Sequence, residues 1–207
     1  MICVFGDSHR SFFTNSHPGC SQPAELEIFR SYAVGPGTAH HFDENRLPAV
    51  VDVLRNIPKD SVILLSAGEV DCRIHLPKVH LRDGVTLKKL VQDTVVRFMQ
   101  CYTYLQDMGY RVIAWGPHPT THLEITDYKD YAGTQKLRNQ SCELFNKTLE
   151  QKSHTLGIPF STLYYDIIND DYTVKDEYYR DVLHLNHELW NTTQKRLKDI
   201  YDNYNNI

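Results

Sequence analysis

The run Met1-Ile2-Cys3-Val4-Phe5-Gly6-Asp7-Ser8-His9 decides how the chain is read. An apolar stretch with a β-branched member, ended by a glycine, describes a buried strand that stops abruptly, so Ser8 falls just past its C-terminal end. In open α/β sheets, ligands and chemistry gather at that end.

Working outward, the same pattern recurs. Phe29–Val34 reads as a second strand, closed by Gly35-Pro36-Gly37-Thr38, a run that cannot continue a ladder. A short helix follows, with Leu47, Val50, Val51, Leu54 and Ile57 at helical spacing and Pro48 in its first turn. Ser61–Ser66 is the third strand, and Glu69–Asp83, charged and rich in histidine, reads as a surface loop. A long helix over Leu87–Met108 carries Val91, Val95, Phe98, Tyr102 and Leu105 on one stripe and ends at Gly109. Arg111–Trp115 is the fourth strand, Thr134–Leu156 a further helix, and Ile158–Leu163 a weaker fifth strand, placed at an edge by Pro159. A last helix is expected over Asn186–Tyr201, with Asn186 as its cap. Strands and helices thus alternate, which calls for an α/β fold: a five-stranded, mostly parallel sheet with helices on both faces. Right-handed crossovers bring the loops after strands one, two and three to one edge, making Ser8, Gly35 or Gly37, and Gly68–Arg73 neighbours.

The 207 residues suit a single domain, residues 1–207, able to bury about 70% of the surface its unfolded form exposes. A hydrophobic fraction of 41% and a charged fraction of 23% set aside disordered and fibrous classes. A net charge of -4 without a Lys/Arg-rich run gives no footprint for nucleic acid, and no apolar run is long enough to span a bilayer. With its first strand at Met1 and no room for a removable signal, the chain is expected in the cytoplasm. Five cysteines without a Cys-x-x-Cys pair fit reduced thiols. The 11 histidines include His40-His41, His118 with His122, and His184 with His187, but adjacent histidines usually diverge and Pro119 breaks a helical pair, so no metal site is expected.

Far down the chain stands Asp181-Val-Leu-His184, in a loop that returns to the edge holding Ser8. A serine hydroxyl needs a base to take its proton, and the base needs a carboxylate to fix its tautomer; this loop offers both. The catalytic candidates are therefore Ser8, His184 and Asp181, with backbone N–H groups of Ser8 and of Gly35 or Gly37 as the oxyanion hole. Read as structure instead, Ser8 is a turn serine and Asp181 with His184 an N-terminal cap cluster.

These residues resemble the SGNH or GDSL-type hydrolases. Gly6-Asp7-Ser8 is similar to the first block of that family, the glycine turn to the second, Gly68-Glu69-Val70-Asp71 to a degenerate third, and Asp181-x-x-His184 to the fifth. The resemblance implies a flavodoxin-like three-layer α/β/α sandwich and hydrolysis or transfer of an ester-linked acyl group, often acetyl on carbohydrate, with no metal or other cofactor. Two positions depart from the family: His9 stands where an aliphatic residue is usual, and Val70 where the family has an oxyanion-hole asparagine. His9, Glu69, Asp71 and Arg73 are the candidate substrate-binding residues, Arg73 being able to hold a carboxylate or phosphate by two parallel bonds; read as structure, the last three form a salt-bridge network that stabilises their loop. The expected function is a serine esterase acting on a small-molecule or glycan ester. The alternatives are a sugar O-acyltransferase using the same triad, or a catalytically weak glycan-binding module on the same scaffold.

Overall fold

Alternate residues of each strand point to opposite faces of a sheet, and here both faces are apolar. In β1 (Ile2–Gly6), Cys3 and Phe5 join one cluster while Ile2 and Val4 join another; in β3 (Val62–Ser66), Ile63 and Leu65 separate from Val62 and Leu64 in the same way. Near-continuous apolar strands of this kind belong to parallel sheets covered on both sides. The computed structural model, which describes residues 1–13, 28–35, 37–122 and 131–205, has that architecture. With β2 (Phe29–Ala33), β4 (Arg111–Trp115) and β5 (Phe160–Ser161), the strands form one all-parallel sheet in the order β2-β1-β3-β4-β5. This is the flavodoxin-like order, whose chain direction reverses between β1 and β3.

Helices fill the two outer layers. On one face lie α1 (Phe42–Asn45), α2 (Leu47–Leu54), α4 (Leu87–Asp107) and α5 (Gln135–Thr155), which close over Phe5, Ile63, Leu65 and Val112. The α4 stripe Val91, Val95, Phe98, Tyr102 and Leu105 is fully buried. Each such side chain contributes about 1.5–3 kcal/mol by leaving water. On the other face, α6 (Tyr164–Ile167) and α7 (Trp190–Asn205) pack Leu163, Ile167, Trp190 and Leu197 with Phe12 and Phe13 against Ile2, Val4, Leu64 and Ile113. The Thr86 and Thr134 hydroxyls cap α4 and α5 by accepting the Lys89 and Leu137 amides.

Four expectations shift. Residues 69–83 are not a surface loop: a π-helical turn, Asp71–His75, runs into α3 (Leu76–Asp83), and Glu69, Asp71, Cys72 and Arg73 are buried. The charged residues go inside because they find partners there. The final helix begins at Trp190, not Asn186, because 185–186 pair backward through a Tyr179–Leu185 bridge and the Asn186 amide donating to the Tyr178 carbonyl. The Asn186 side chain accepts the Glu188 N–H within that turn. The fifth strand shortens to two residues at the sheet edge, where the Pro159 carbonyl still accepts the Ala114 amide. The rings of His40 and His41 do not diverge but meet edge to face, 4.7 Å between centroids.

Cys3, Cys72, Cys101 and Cys142 are free thiols; Cys20, Pro36 and most of the connections after Phe13 and His122 lie outside the described residues. No described helix is long and apolar enough to cross a membrane, and no group of three or more potential ligands among the described residues could hold a metal ion.

Candidate active site

The site forms at the carboxyl ends of β1 and β3, beside the switch point. Gly6 pairs with Ser66 across these strands, and a Cβ at Gly6 would lie 2.6 Å from the Ser66 carbonyl oxygen, so only glycine fits. The chain then bends at Asp7, whose carboxylate accepts the His9 amide at 2.9 Å, and enters a 3-10 turn, Ser8–Phe13. This leaves Ser8 exposed at the rim.

Its hydroxyl lies 2.9 Å from His184 Nε2, although 176 residues separate the two in the chain. His184 Nδ1 is 3.0 Å from each oxygen of Asp181. A carboxylate only accepts, so Nδ1 carries the proton and Nε2 faces Ser8 as an acceptor. The Asp-x-x-His loop is rigid for local reasons. Asp181 Oδ1 accepts the Leu183 and His184 amides, both at 2.8 Å, the Arg180 amide donates to the His184 carbonyl, and Thr121 Oγ1 donates to Val182. Burial pushes the Asp181 carboxyl up, but those two amides and the imidazole outweigh it and hold the group at about 2. His184 is lowered from its ordinary value, first by burial and then by the nearby His9.

The glycine turn after β2 adjoins this edge. Gly35 has φ +82°, in the left-handed region, and a Cβ at Gly37 would come within 2.5 Å of Arg46 Nε. The Arg46 guanidinium therefore packs close against the turn whose amides are the oxyanion-hole candidates. Val70, aliphatic and half-buried, supplies no side-chain donor.

Of the four substrate-binding candidates, His9, Glu69 and Arg73 are brought together and Asp71 is not. Glu69, 4% exposed, accepts Arg73 Nε at 2.7 Å on one oxygen and faces His9 Nε2 at 3.0 Å with the other. Arg73 is buried and turned onto Glu69 rather than toward solvent. Burial would raise the Glu69 carboxyl, but His9 and then Arg73 hold it far below the usual carboxylate range. Asp71, fully buried, instead fastens the far end of the glycine turn by accepting the Ala39 and His40 amides at 2.6 and 3.3 Å. Burial, partly offset by those bonds, raises its carboxyl to about 7.

Sequence reading missed three participants. His118 Nε2 meets His9 Nδ1 at 3.0 Å, and Arg46 covers the glycine turn. Arg138, 2% exposed, holds the His118 loop through Thr120 Oγ1 and the Thr121 and Gly133 carbonyls. The signal for Arg138 was there: it shares a helical stripe with Cys142, Phe145 and Leu149. A hollow of about 20 Å³ between His9, Phe12, Phe13, Trp115, His118 and His184 has room for about one water molecule. A larger cavity of about 280 Å³, between the Thr38–His41 turn, α3 and α4, shares no residue with Ser8, His184 or Asp181.

No family model and no curated protein matches the sequence. Solved structures do match in fold. A provisionally assigned acylhydrolase from Bacteroides fragilis superposes with a TM-score of 0.67 at 14% identity, covering 98% of this chain and 86% of that one. A GDSL-like lipase from Bacteroides thetaiotaomicron gives 0.64 at 13% identity, covering 98% and 88%. An acetyl xylan esterase gives 0.55 at 12% identity, covering 97% and 99%. The chain has the three-layer α/β/α fold of GDSL-type hydrolases. Fold alone does not set the reaction, which has to be argued from the site.

Proposed function

We propose that the protein is a serine ester hydrolase acting on acyl esters of carbohydrates. One observation carries the reading: Ser8 Oγ at 2.9 Å from the bare nitrogen of His184, whose other nitrogen is held by Asp181. In this reaction Ser8 Oγ attacks the ester carbonyl carbon as its proton passes to His184 Nε2. The oxygen that becomes negative is met by the backbone N–H groups of Ser8 and of Gly35 or Gly37. When the C–O bond breaks, His184 returns the proton to the departing alcohol oxygen, leaving an acyl-serine. A water molecule, deprotonated by His184, then releases the acid and regenerates Ser8. Asp181 stays ionised throughout and steadies the imidazolium.

Exposure of Ser8 at the rim suits an ester carried on a bulky sugar, and one structural neighbour is described as an acetyl xylan esterase. The test is labelling by a fluorophosphonate probe together with acetate release from a chromogenic acetyl ester and from acetylated xylan. Wild type is expected to label and to release acetate from both esters, while Ser8→Ala neither labels nor retains more than about one part in 10⁴ of the rate. A folded wild type that does neither would refute the reading.

A further inference from the structure

The ring nitrogens of His9 and His118 permit a proton count. His118 Nδ1 faces the Pro119 carbonyl at 2.9 Å, which can only accept, so Nδ1 carries hydrogen. His9 Nε2 faces a Glu69 carboxylate that also accepts from Arg73, so this nitrogen carries hydrogen as well. Between His118 Nε2 and His9 Nδ1, 3.0 Å apart, one proton must lie. Three protons over two rings make one imidazole and one imidazolium. The charge belongs on His9, the ring that touches the anion.

Resting on the esterase reading, we propose that His9 is a permanent imidazolium and a positioning residue of the triad, its fixed charge keeping the neighbouring His184 ring neutral so that the base stays available at acid pH. The His9 and His184 rings lie 5.0 Å apart between centroids, and among the described residues Glu69 and Asp7 are the carboxylates that adjoin His9. The charged and titratable groups around the pair are few. Asp7 comes from the end of β1, Glu69 and Arg73 from the turn after β3, His118 from the loop after β4, and Asp181 and Arg180 from the loop of His184 itself. Asp181 favours a charged His184, and Arg180 and His9 oppose it. Burial works against a charged His9, yet Glu69 and Asp7 raise it above its ordinary value, whereas burial and His9 lower His118 to about 4. The same placement makes His184, once protonated, a stronger acid toward a poor alkoxide leaving group such as a sugar oxygen.

Nitrogen-15 NMR of histidine-labelled protein between pH 5 and 8 tests this on the whole chain. Both ring nitrogens of His9 are expected to remain protonated across that range, and the His184 midpoint is expected to rise by about 1 pH unit in His9→Gln. The acid limb of kcat/KM should rise with it. A bare nitrogen on His9 at pH 7, or a His184 midpoint unmoved by the substitution, would overturn the proposal. If His9→Gln does not fold, the wild-type spectrum alone decides the charge of His9. If wild type hydrolyses no ester, the esterase reading fails while the ring spectra still decide this one.

Discussion

Gly6→Ala tests whether Ser8 is placed by the close approach of β1 and β3. An alanine Cβ there would sit 2.6 Å from the Ser66 carbonyl oxygen and 2.9 Å from Ser66 Cβ, both well inside contact distance. The neighbour in the way is backbone, in register with Gly6, so relief requires the two strands to part by roughly half an ångström or more at their carboxyl ends. Overpacking of this kind costs about 1–3 kcal/mol. For a chain of this size each kcal/mol moves Tm by about 2–4 °C, giving a fall of about 2–12 °C. The effect on rate should be larger in proportion. Ser8 lies two residues beyond Gly6 while His184 hangs on a separate loop, and a displacement near 1 Å between nucleophile and base costs about 10²-fold. Differential scanning calorimetry and hydrolysis of a chromogenic acetyl ester read the two effects. Ser66→Gly in the same background removes the Cβ contact but leaves the carbonyl one, so it should restore only part of each. Wild-type Tm and rate in Gly6→Ala, or complete rescue by Ser66→Gly, would refute the account.

Three further outcomes are expected. Asp181→Asn can still accept the Leu183 and His184 amides but turns His184 to the wrong tautomer, so kcat should fall by about 10⁴-fold with Tm almost unchanged; a loss under tenfold would remove Asp181 from the triad. Because His184 is held below its ordinary value of 6.5 and Asp181 at about 2, the base form of His184 persists beneath pH 6.5 and is lost as pH falls through its lowered value; a kcat/KM profile whose acid limb lies above 6.5 would contradict the site's electrostatics. Glu69→Ala leaves the buried charges of Arg73 and His9 without their shared anion and should cost about 3–5 kcal/mol in urea titrations; a loss below 1 kcal/mol would mean that water or another group compensates them.

What could be read in advance, and what could not, follows from the range of the interactions. β1, β3 and α4 were legible because each buries a pattern that the chain repeats within a few residues. Asp181 and His184 were legible because a three-residue gap is itself a local geometry, closed by Asp181 on the Leu183 and His184 amides. The two-residue β5 was only half legible, since within the segment around Pro159 only Phe160 and Ser161 hold strand register with β4, while the Ile158 amide turns back to the Ser153 carbonyl. Residues 69–83 misled for a different reason. Charge normally marks surface, but Glu69 and Arg73 are buried because they pair with each other and His9, 60 residues upstream, takes the second Glu69 oxygen, a set that composition cannot see. His118 joins that set from 109 residues away. Each of these groups alone would be costly inside the protein; together they satisfy one another's donors and acceptors. A feature stable only as a set carries no signal in any one member, and so the Asp181–His184 pair was visible from its spacing while the charged set beside it was not.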